Sequence, residues 1–431
     1  MDDPSLSKPI YETLAVSCMS RCDEIALCTE IPGQITRRFL TPPMRSVHDR
    51  LTSWMEAATM EVQVDHAGNL IGKRRAAAEN HVVERESSRT LLIGSHLDTV
   101  PNAGRYDGIL GVVAGVAVVE ALGNQPLPFD IDVIGFSEEE GVRFATPYIG
   151  SHAAAGTFDA QWLDRVDEEG QTLRSVIEAY GLSSNQTPQA CYDPARVIGF
   201  VEPHIEQGPW LNSIDRPVGV VEAIAGQTRL MIAFDGKAGH AGTTPMTMRS
   251  DALVAAARWI AEVNDYANRT ADLRATVGQI DVTPNARNVI PGRVKLSADI
   301  RHSKDPIRSK AVEELCNRAE ALSSAHGVTF SLLEQQSQSA TTMDANLTNL
   351  LSGTISDSGT GLVSLPSGAG HDAVVMAKRF PTAMLFIRQP SGISHHPDED
   401  VQHSDVAIAI EVLVRFVDQL AQQFSNHQVE K

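Results

Sequence analysis

Four short apolar runs along the chain predict buried β-strands. They cover residues 90–93, 131–136, 197–201 and 383–387. Residues 11–58 are predicted to be helical, with loops around 32–33 and 41–43, and residues 61–64 form a further strand-like segment. Because strands and helices alternate after this point, the pattern predicts an α/β domain with a mixed sheet flanked by helices.

The middle third of the chain has a different pattern, with five strand-like runs and two amphipathic helices. The predicted helices cover residues 250–266 and 306–325, and the predicted strands cover 218–223, 229–234, 276–282, 294–300 and 328–333. The order β-β-α-β-β-α-β predicts a small α+β layer with helices on one face of an antiparallel sheet. Candidate site residues occur on both sides of this segment, so we expect it to be inserted into the larger domain. The predicted boundaries are 1–214 and 335–431 for the larger domain and 215–334 for the inserted one.

The composition is that of an ordinary folded protein, since 42% of the 431 residues are hydrophobic and 21% are charged. The longest apolar run, residues 109–122, is interrupted by Gly111, Gly115 and Glu120 and is shorter than the ~20 residues of a membrane span. The N-terminal residues are acidic and lack the basic flank and apolar stretch of a signal peptide. We therefore expect a cytoplasmic protein that does not enter a membrane.

Net charge limits the binding partners that are expected, and the number of cysteines indicates whether the thiols are reduced. A formal net charge of −18 supplies no basic footprint, so nucleic acid and anionic membranes are not expected as partners. A small anionic substrate would need locally placed arginines. The five cysteines are an odd number in a long chain, which favours reduced thiols over a disulfide framework. Cys18 and Cys22 lie four apart on a predicted helix, where burial is expected rather than metal binding.

Histidine and acidic residues follow each of the four predicted buried strands. The clusters lie at residues 95–98, 137–141, 203–206 and 394–396. In open α/β sheets the ligand crevice lies beyond the carboxyl ends of the strands, so these separate segments are expected to converge there. Five side chains of types that bind divalent metals stand in or near the clusters, namely His96, Asp107, Glu140, His204 and His395. A hydrolytic two-metal site needs ligands from several strands, a bridging carboxylate and a further carboxylate that accepts a proton, and the sequence offers all three.

Individually, these residues also have purely structural explanations. Asp107 precedes a glycine-rich apolar run, where an acid can equally be the N-cap of a buried helix. The adjacent glutamates 138–140 repel one another and would usually form a solvated turn, but they follow a buried strand, and a cation would relieve the repulsion. Alternation along the chain lets one of these glutamates bind metal while its neighbour faces the water as general base. Asp98, two residues after His96, is a candidate to fix the tautomer of that histidine.

Eight motifs distributed along the chain carry a resemblance to a known family. They are GSHLDTVP (94–101), YDGILG (106–111), EEEGVRF (138–144), EPHIEQG (202–208), GHAGTTPM (239–246), NVIPG (288–292), GAGHDA (368–373) and ISH (393–395). Together they resemble the M20-type metallohydrolases, and more narrowly the branch that contains N-carbamoyl-L-amino acid hydrolases, allantoate amidohydrolases and β-ureidopropionases. The resemblance extends from about residue 26 to residue 414, which is nearly the whole chain.

The resemblance implies a role for each matching residue. The ligands of two divalent metal ions per subunit correspond to His96, Asp107, Glu140, His204 and His395. Asp107 is then the bridging ligand, and zinc, manganese or cobalt suits this set. The general base corresponds to Glu139, and a histidine that reaches from the lid domain of the partner subunit to stabilise the developing oxyanion corresponds to His240. The residues that hold the substrate correspond to Gln207, Arg229, Asn288 and Arg301, and a loop that lines the pocket corresponds to Gly370 and His371.

The resemblance also implies an architecture and an activity. The larger domain is then catalytic, and the inserted one is the lid and dimerisation domain of a homodimer. The implied reaction is metal-dependent cleavage of the C–N amide bond of a small ureido acid, an N-carbamoyl-L-amino acid or allantoate, with release of ammonia and carbon dioxide. The alternatives are an M20-type aminoacylase or dipeptidase and, in another class, a catalytically inactive homologue that acts as a binding protein. Where many relatives have His-Asn-Pro, this chain has His395-His396-Pro397, so the last ligand is either histidine, and the alignment of Ser394 favours His395.

Overall fold

The computed structural model describes residues 4–77 and 88–429, with side chains described for residues 10–77 and 88–424. The chain divides into two compact units. Unit 1 comprises Met1–Glu222, Met343–Leu365 and Ala369–Lys431, and unit 2 comprises Ala223–Thr342 and Pro366–Gly368. The acidic N-terminal residues 1–3, on which the prediction that no signal peptide is present partly rests, lie outside the described residues.

The α-helices of the described residues are numbered in chain order. They are α1 (Pro4–Ala26), α2 (Pro42–Ala57), α3 (Ile109–Leu122), α4 (Ile149–Ala154), α5 (Leu173–Ala179), α6 (Trp210–Ser213), α7 (Ala252–Arg269), α8 (Asp305–His326), α9 (Ala345–Asp357), α10 (Ala373–Met376) and α11 (His403–Val429). Short 3-10 helices occur at Ala160–Asp164, Ser184–Gln189 and Met246–Met248.

The β-strands of the same residues are numbered in the same way. They are β1 (Glu61–Val64), β2 (Leu70–Arg74), β3 (Thr90–His96), β4 (Asp130–Phe136), β5 (Val197–Ile205), β6 (Val218–Ile224), β7 (Gly226–Asp235), β8 (Gly239–His240), β9 (Arg274–Thr276), β10 (Ile280–Thr283), β11 (Val289–Ile290), β12 (Arg293–His302), β13 (Thr329–Gln338), β14 (Thr341–Thr342), β15 (Ser364–Ser367) and β16 (Thr382–Ile387).

The sheet of unit 1 has the strand order β1-β2-β4-β3-β5-β16-β6. Its four central strands, β4, β3, β5 and β16, are parallel, and the strands on either side of them are antiparallel. Every residue of these four strands is buried, which explains why they appear in the sequence as continuous apolar runs rather than alternating ones. Helices α1, α3 and α11 pack together in the core against this sheet. The predicted α/β class with a mixed sheet flanked by helices is confirmed.

Two of the central strands are longer than the sequence pattern predicts. β3 continues to His96, and His96 pairs with Phe136 of β4. β5 continues to Ile205, and its His204 pairs with Phe386 of β16. Both histidines therefore lie at the ends of strands rather than in the loops that follow. Hydrogen bonding to a parallel neighbour extends the strand through polar residues that the apolar pattern alone would exclude.

One predicted strand belongs to a different sheet from the one expected. The sequence pattern places the run at 218–223 in the inserted layer, but β6 pairs antiparallel with β16, from Val218 opposite Ile387 to Val221 opposite Met384. Its apolar residues are buried against the large sheet, and a local pattern cannot distinguish which sheet a strand joins. The strand is thus part of the large sheet, next to β16.

Unit 2 is an antiparallel sheet with two helices on one face, as the α+β prediction requires. The strand order is β10-β12-β7-β13, and β9 also pairs with β12. Buried residues of α7 and α8, including Trp259 and Leu315, pack with alternate residues of β7 and β12 in one core. The other face of β12 carries polar side chains.

Two further expectations concern membranes and thiols. Among the described residues, no helix has the length and apolar character needed to cross a membrane. All five cysteines are free thiols, and Cys18 and Cys22 are buried within α1 as expected. Burial raises the pKa of the Cys18 thiol to about 12, so this side chain behaves as a small apolar group.

Candidate metal centre

Two groups of three potential metal ligands meet in unit 1, and they share Asp107. One group joins Asp107 to His96 and His204, and the other joins it to Glu140 and His395. Within each group the ligand atoms all lie within 4.8 Å of one another. The five side chains that the sequence pattern singles out are therefore together, with one carboxylate common to both groups.

The sheet explains why these side chains converge. His96 and His204 stand at the carboxyl ends of the adjacent parallel strands β3 and β5, and Glu140 follows β4 on the other side of β3. Asp107 lies two residues before α3, whose first turn has no side-chain cap, so its carboxylate is not an N-cap. His395 lies beyond β16 in a loop, with a positive φ of 55°. Potential ligands therefore follow all four central strands at the same edge of the sheet.

The histidine rings are oriented by main-chain carbonyl groups. His96 Nδ1 is 3.0 Å from the carbonyl oxygen of Asp98, and His204 Nδ1 is 2.8 Å from that of Ile205. A carbonyl oxygen can only accept, so both Nδ1 atoms carry the proton, and the two Nε2 atoms are left with lone pairs. These Nε2 atoms face each other at 3.5 Å. Facing lone pairs repel unless a cation or a proton lies between them.

Asp107 completes this arrangement. It is 2% exposed, and its Oδ1 lies 3.3 Å from His204 Nε2 and 3.9 Å from His96 Nε2. Its Oδ2 lies 3.1 Å from His395 Nε2 but, among the described residues, has no partner with hydrogen-bond geometry. Burial raises the pKa of Asp107, but the three neighbouring histidines offset this and hold its pKa below the ordinary value. The carboxylate is therefore ionised in a buried position, where it favours a cation.

The two candidate histidines after β16 differ in their distance from the other potential ligands. His395 Nε2 is 3.1 Å from Asp107 and 3.4 Å from Glu140 Oε1. The side chain of His396 instead accepts the backbone N–H of Asp398 at 3.2 Å and is half exposed. Of the two alternatives that the sequence leaves open, His395 is the one beside the other ligands.

The three adjacent glutamates have three different environments. Glu138 is fully buried away from the ligands, and its carboxylate accepts backbone N–H groups from Phe39 at 3.2 Å and Arg143 at 2.7 Å. Glu140 belongs to the group around His395, whereas Glu139 lies within 4.8 Å of His96 and Glu140 without contributing to either group that contains Asp107. The turn thus gives the three glutamates different environments. Glu138 is structural, Glu140 is a potential ligand, and the carboxylate of Glu139 remains available to exchange a proton.

Asp98 lies beside both His96 and the glutamate turn. Its carboxylate accepts the backbone N–H groups of Glu139 and Glu140 at 2.9 and 3.0 Å, whereas His96 Nδ1 is 3.6 Å from that carboxylate and closer to the Asp98 carbonyl. The carboxylate of Asp98 therefore holds the glutamate turn, and its carbonyl oxygen and its carboxylate both lie beside His96 Nδ1.

The electrostatics of the cluster favour positive charge. Burial raises the pKa of Glu139 well above 4.5, and burial likewise raises that of Glu140 to about 7. Burial lowers the pKa of His96, but Asp98 and Glu139 outweigh it and raise the pKa well above 6.5. Several carboxylates in a buried space attract protons onto the groups that can hold them, and a divalent cation satisfies the same demand. The donor set of imidazole nitrogens and carboxylates, with an orphaned buried Asp107 oxygen, fits divalent metal ions.

Gln207 and His371 lie next to the ligands. Gln207 Nε2 donates to Asp107 Oδ1 at 3.1 Å and to Ser394 Oγ at 3.3 Å, while its buried Oε1 has no hydrogen-bond partner among the described residues. The ring of His371 stands edge-on to that of His204, with centroids 4.4 Å apart, and burial lowers its pKa well below 6.5. At Gly370 a Cβ atom would lie 2.1 Å from the hydroxyl oxygen of Tyr148, so no larger residue fits there.

The remaining predicted substrate residues lie in unit 2. Arg229 and Arg301 project from the open face of its sheet, where Asp299 accepts from Arg301 at 2.9 and 3.0 Å and lies 3.5 Å from Arg229. Both arginines line a cavity of about 720 Å³ within this unit. His240 is exposed on β8, which pairs with β11, and the carbonyl of Asn288 accepts the backbone N–H of Ala241 at 2.9 Å.

Glu399 is a residue of the centre that the sequence pattern does not identify. Its carboxylate is 4% exposed and accepts the backbone N–H of Asp107. In the sequence it stands in the run Pro397-Asp398-Glu399-Asp400, which resembles a solvated acidic loop. Its one distinguishing signal in the sequence is its position four residues after a candidate ligand.

Known proteins share both the sequence pattern and the fold of this chain. Residues 92–419 match the profile of Peptidase family M20/M25/M40. The chain is 37% identical over 392 residues to an N-carbamoyl-L-amino acid amidohydrolase of Geobacillus stearothermophilus, which covers 90% of this chain and 94% of that protein. It is 34% identical over 446 residues to allantoate deiminase 1 of Glycine max, which covers 95% of this chain and 90% of that protein. The solved structure of an amidase of the hydantoinase/carbamoylase family from Burkholderia multivorans superposes with a TM-score of 0.85 at 30% identity, over 94% of this chain and 97% of that one.

Proposed function

The chain belongs to Peptidase family M20/M25/M40, and we propose that it is a metal-dependent amidohydrolase that cleaves the C–N amide bond of a ureido acid. The substrate is an N-carbamoyl-L-amino acid or allantoate, and the products include ammonia and carbon dioxide. The names of the similar proteins support this substrate class. The observation that carries the proposal is the pair of ligand groups that share buried Asp107, with the carboxylate of Glu139 available beside them.

We propose that the site holds two divalent ions, of zinc, manganese or cobalt. His96 and His204 would hold one ion, Glu140 and His395 the other, and Asp107 both. When bound, such ions polarise the substrate carbonyl and make water more acidic. The protein contributes ligands that are already oriented, since the backbone of Asp98 and Ile205 fixes the two rings.

Glu139 is proposed as the general base. It takes a proton from the attacking water as the oxygen bonds to the ureido carbonyl carbon, and it returns that proton to the terminal nitrogen as the C–N bond breaks and ammonia leaves. The remaining carbamate then loses carbon dioxide. His240 is proposed to stabilise the oxyanion that develops on the carbonyl oxygen.

Substrate recognition is proposed to divide between the two ends of the ureido acid. Gln207 has its Nε2 engaged by Asp107 and its Oε1 unpartnered among the described residues, so the amide is held with an acceptor available for a ureido N–H. Arg229 and Arg301 present planar guanidinium groups suited to a carboxylate, which is how a chain with a net charge of −18 would bind an anion. Asn288, Gly370 and His371 are proposed to complete the pocket.

The experiment is a substrate panel run with zinc, manganese and cobalt in turn. Ammonia release is measured from N-carbamoyl-L-amino acids and allantoate, and amine release is measured from N-acetyl amino acids and dipeptides. Ammonia from at least one ureido acid, in excess of any acyl or peptide cleavage, is expected. Preferential cleavage of the acyl or peptide substrates would instead make the protein an aminoacylase or dipeptidase. No bound metal and no turnover of any substrate would indicate an inactive homologue.

We also propose that the protein is a cytoplasmic homodimer, with unit 2 as its lid and dimerisation domain and unit 1 as its catalytic domain. The family role of the residue corresponding to His240, which acts in the partner subunit, supports this assembly. Sedimentation velocity on the active enzyme tests it, and an active monomer would refute it.

A further inference from the structure

We propose that Glu399 is a positioning residue that holds the loop of Asp107 and the loop of His395 in a fixed position relative to each other. Its Oε1 accepts the backbone N–H of Tyr106 at 2.8 Å and that of Asp107 at 3.0 Å. Its Oε2 accepts the hydroxyl of Ser394 at 3.0 Å. One carboxylate therefore bonds to the residue that both ligand groups share and to the neighbour of the last ligand. This inference rests on the proposed metal centre.

The two loops need such a link because both lie outside regular secondary structure. Asp107 precedes α3 and His395 follows β16, and Glu399 is 292 residues from Asp107 along the chain. The distance of 3.1 Å between His395 Nε2 and Asp107 Oδ2 depends on how these loops are placed relative to each other. A movement of either loop changes that distance directly.

The surroundings are built to hold Glu399 in this place. Its own backbone N–H donates to the carbonyl of His396 at 3.1 Å, which closes the turn after the ligand. Gly104 lies directly against its side chain, and a Cβ atom there would come within 2.3 Å of Glu399 Cβ. Three accepted hydrogen bonds also satisfy a carboxylate that is almost completely buried, so its orientation is well defined.

The consequence is an effect on metal affinity without contact with substrate or with the reacting atoms. Residues that orient metal ligands typically change affinity by 10–100-fold when removed. Glu399→Ala removes all three hydrogen bonds, so we expect metal dissociation constants about 10–100 times larger than those of the wild type. In Glu399→Gln the amide oxygen can still accept both backbone N–H groups and the amide N–H can donate to Ser394 Oγ, so affinity within about threefold of the wild type is expected.

The matched control is Asp344→Ala. Asp344 also accepts two backbone N–H groups, from Asn346 at 2.9 Å and Leu347 at 3.0 Å, but it does so at the start of α9, away from the ligands. Its removal is expected to lower the thermal midpoint without changing metal affinity. Ser394→Ala removes the bond to Glu399 Oε2 together with the bond that Ser394 Oγ accepts from Gln207 Nε2. If Glu399→Ala does not fold, Ser394→Ala keeps the test valid, and a metal affinity weaker by about 10-fold, at the low end of the same range, is expected from it.

Metal affinity is measured by competition with a chromogenic chelator for zinc and cobalt, independently of turnover. The proposal is overturned if Glu399→Ala, or Ser394→Ala in its place, binds metal as tightly as the wild type. It is also overturned if Asp344→Ala weakens binding equally, or if Glu399→Gln fails to restore it. If the wild type itself binds no metal, the proposed metal centre is wrong, and this outcome is distinct from the others.

Discussion

Replacement of Glu139 by glutamine separates metal binding from proton transfer. The amide is isosteric with the carboxylate, and the backbone N–H of Glu139 keeps its bond to Asp98 at 2.9 Å, so the turn is retained. Glu139 belongs to neither of the groups that contain Asp107, so metal content is expected to stay within about 20% of the wild type.

The expected loss of turnover follows from the surroundings of Glu139. A general base contributes about 10²–10⁴-fold to kcat, or about 2.7–5.4 kcal/mol. The upper half of that range is expected because the neighbouring carboxylates of the turn are engaged elsewhere. Glu140 is engaged with His395, Asp98 with two backbone N–H groups, and Glu138 with Phe39 and Arg143. We therefore expect kcat for ammonia release to fall about 10³–10⁴-fold.

The assay couples ammonia release to NADPH oxidation by glutamate dehydrogenase, and bound metal is measured by mass spectrometry on the same samples. Glu120→Gln makes the same chemical change at a carboxylate of α3 that pairs with Arg21 rather than with a candidate ligand, and kcat within about threefold of the wild type is expected. Glu140→Gln should instead lose bound metal. Near-normal turnover of Glu139→Gln with full metal content would refute the assignment of the base.

The remaining predictions concern the metal, one glycine and one buried histidine. Removal of metal by a chelator should abolish ammonia release, and added zinc, manganese or cobalt should restore it; full turnover by enzyme without detectable metal would contradict this. Gly108→Ala should lower the free energy of unfolding by about 1–3 kcal/mol and weaken metal binding at least tenfold. The reason is that φ at this position is +67° and the new Cβ would lie 2.5 Å from the ring of His96. Unfolding measured by calorimetry and metal affinity measured by chelator titration would both be unchanged if this reasoning is wrong. Burial lowers the pKa of His48 to about 3, and its Nδ1 lies 3.0 Å from the hydroxyl of Tyr180. Below pH ~6.5, His48 binds a proton in the unfolded chain but not in the folded one, so the free energy of unfolding should fall with decreasing pH by up to about 1.4 kcal/mol per pH unit. In His48→Gln, the free energy of unfolding measured with urea should depend less steeply on pH between about pH 7.5 and 4.5. An equal dependence on pH in the two proteins would contradict the assignment.

The elements that the sequence predicts correctly are those whose environment is uniform along their length. The four central strands are buried on both faces, and α7 carries one apolar face, so each has a clear local signature. The pattern does not predict β2, because Leu70–Arg74 is short and ends in two basic residues. It is a strand because it pairs with β4, and that pairing is a tertiary interaction.

The candidate site divides in the same way. Residue types at the ends of apolar strands are sufficient to select the segments that supply the five side chains the structure places together, because strand direction alone determines which edge of a sheet they reach. They are not sufficient to choose between His395 and His396, since adjacent residues in a loop differ only in the direction of their side chains. Backbone dihedral angles decide that choice.

The sequence by itself therefore determined the chemistry of the site, its ligand types and the sheet edge where they meet. The tertiary structure alone decided which polar groups bond to which. Asp98 serves the glutamate turn with its carboxylate and His96 with its carbonyl, and Glu399 serves loops from both ends of the chain. Hydrogen bonds are short and directional, so their partners depend on positions to within a fraction of an ångström, which a pattern of residue types does not contain.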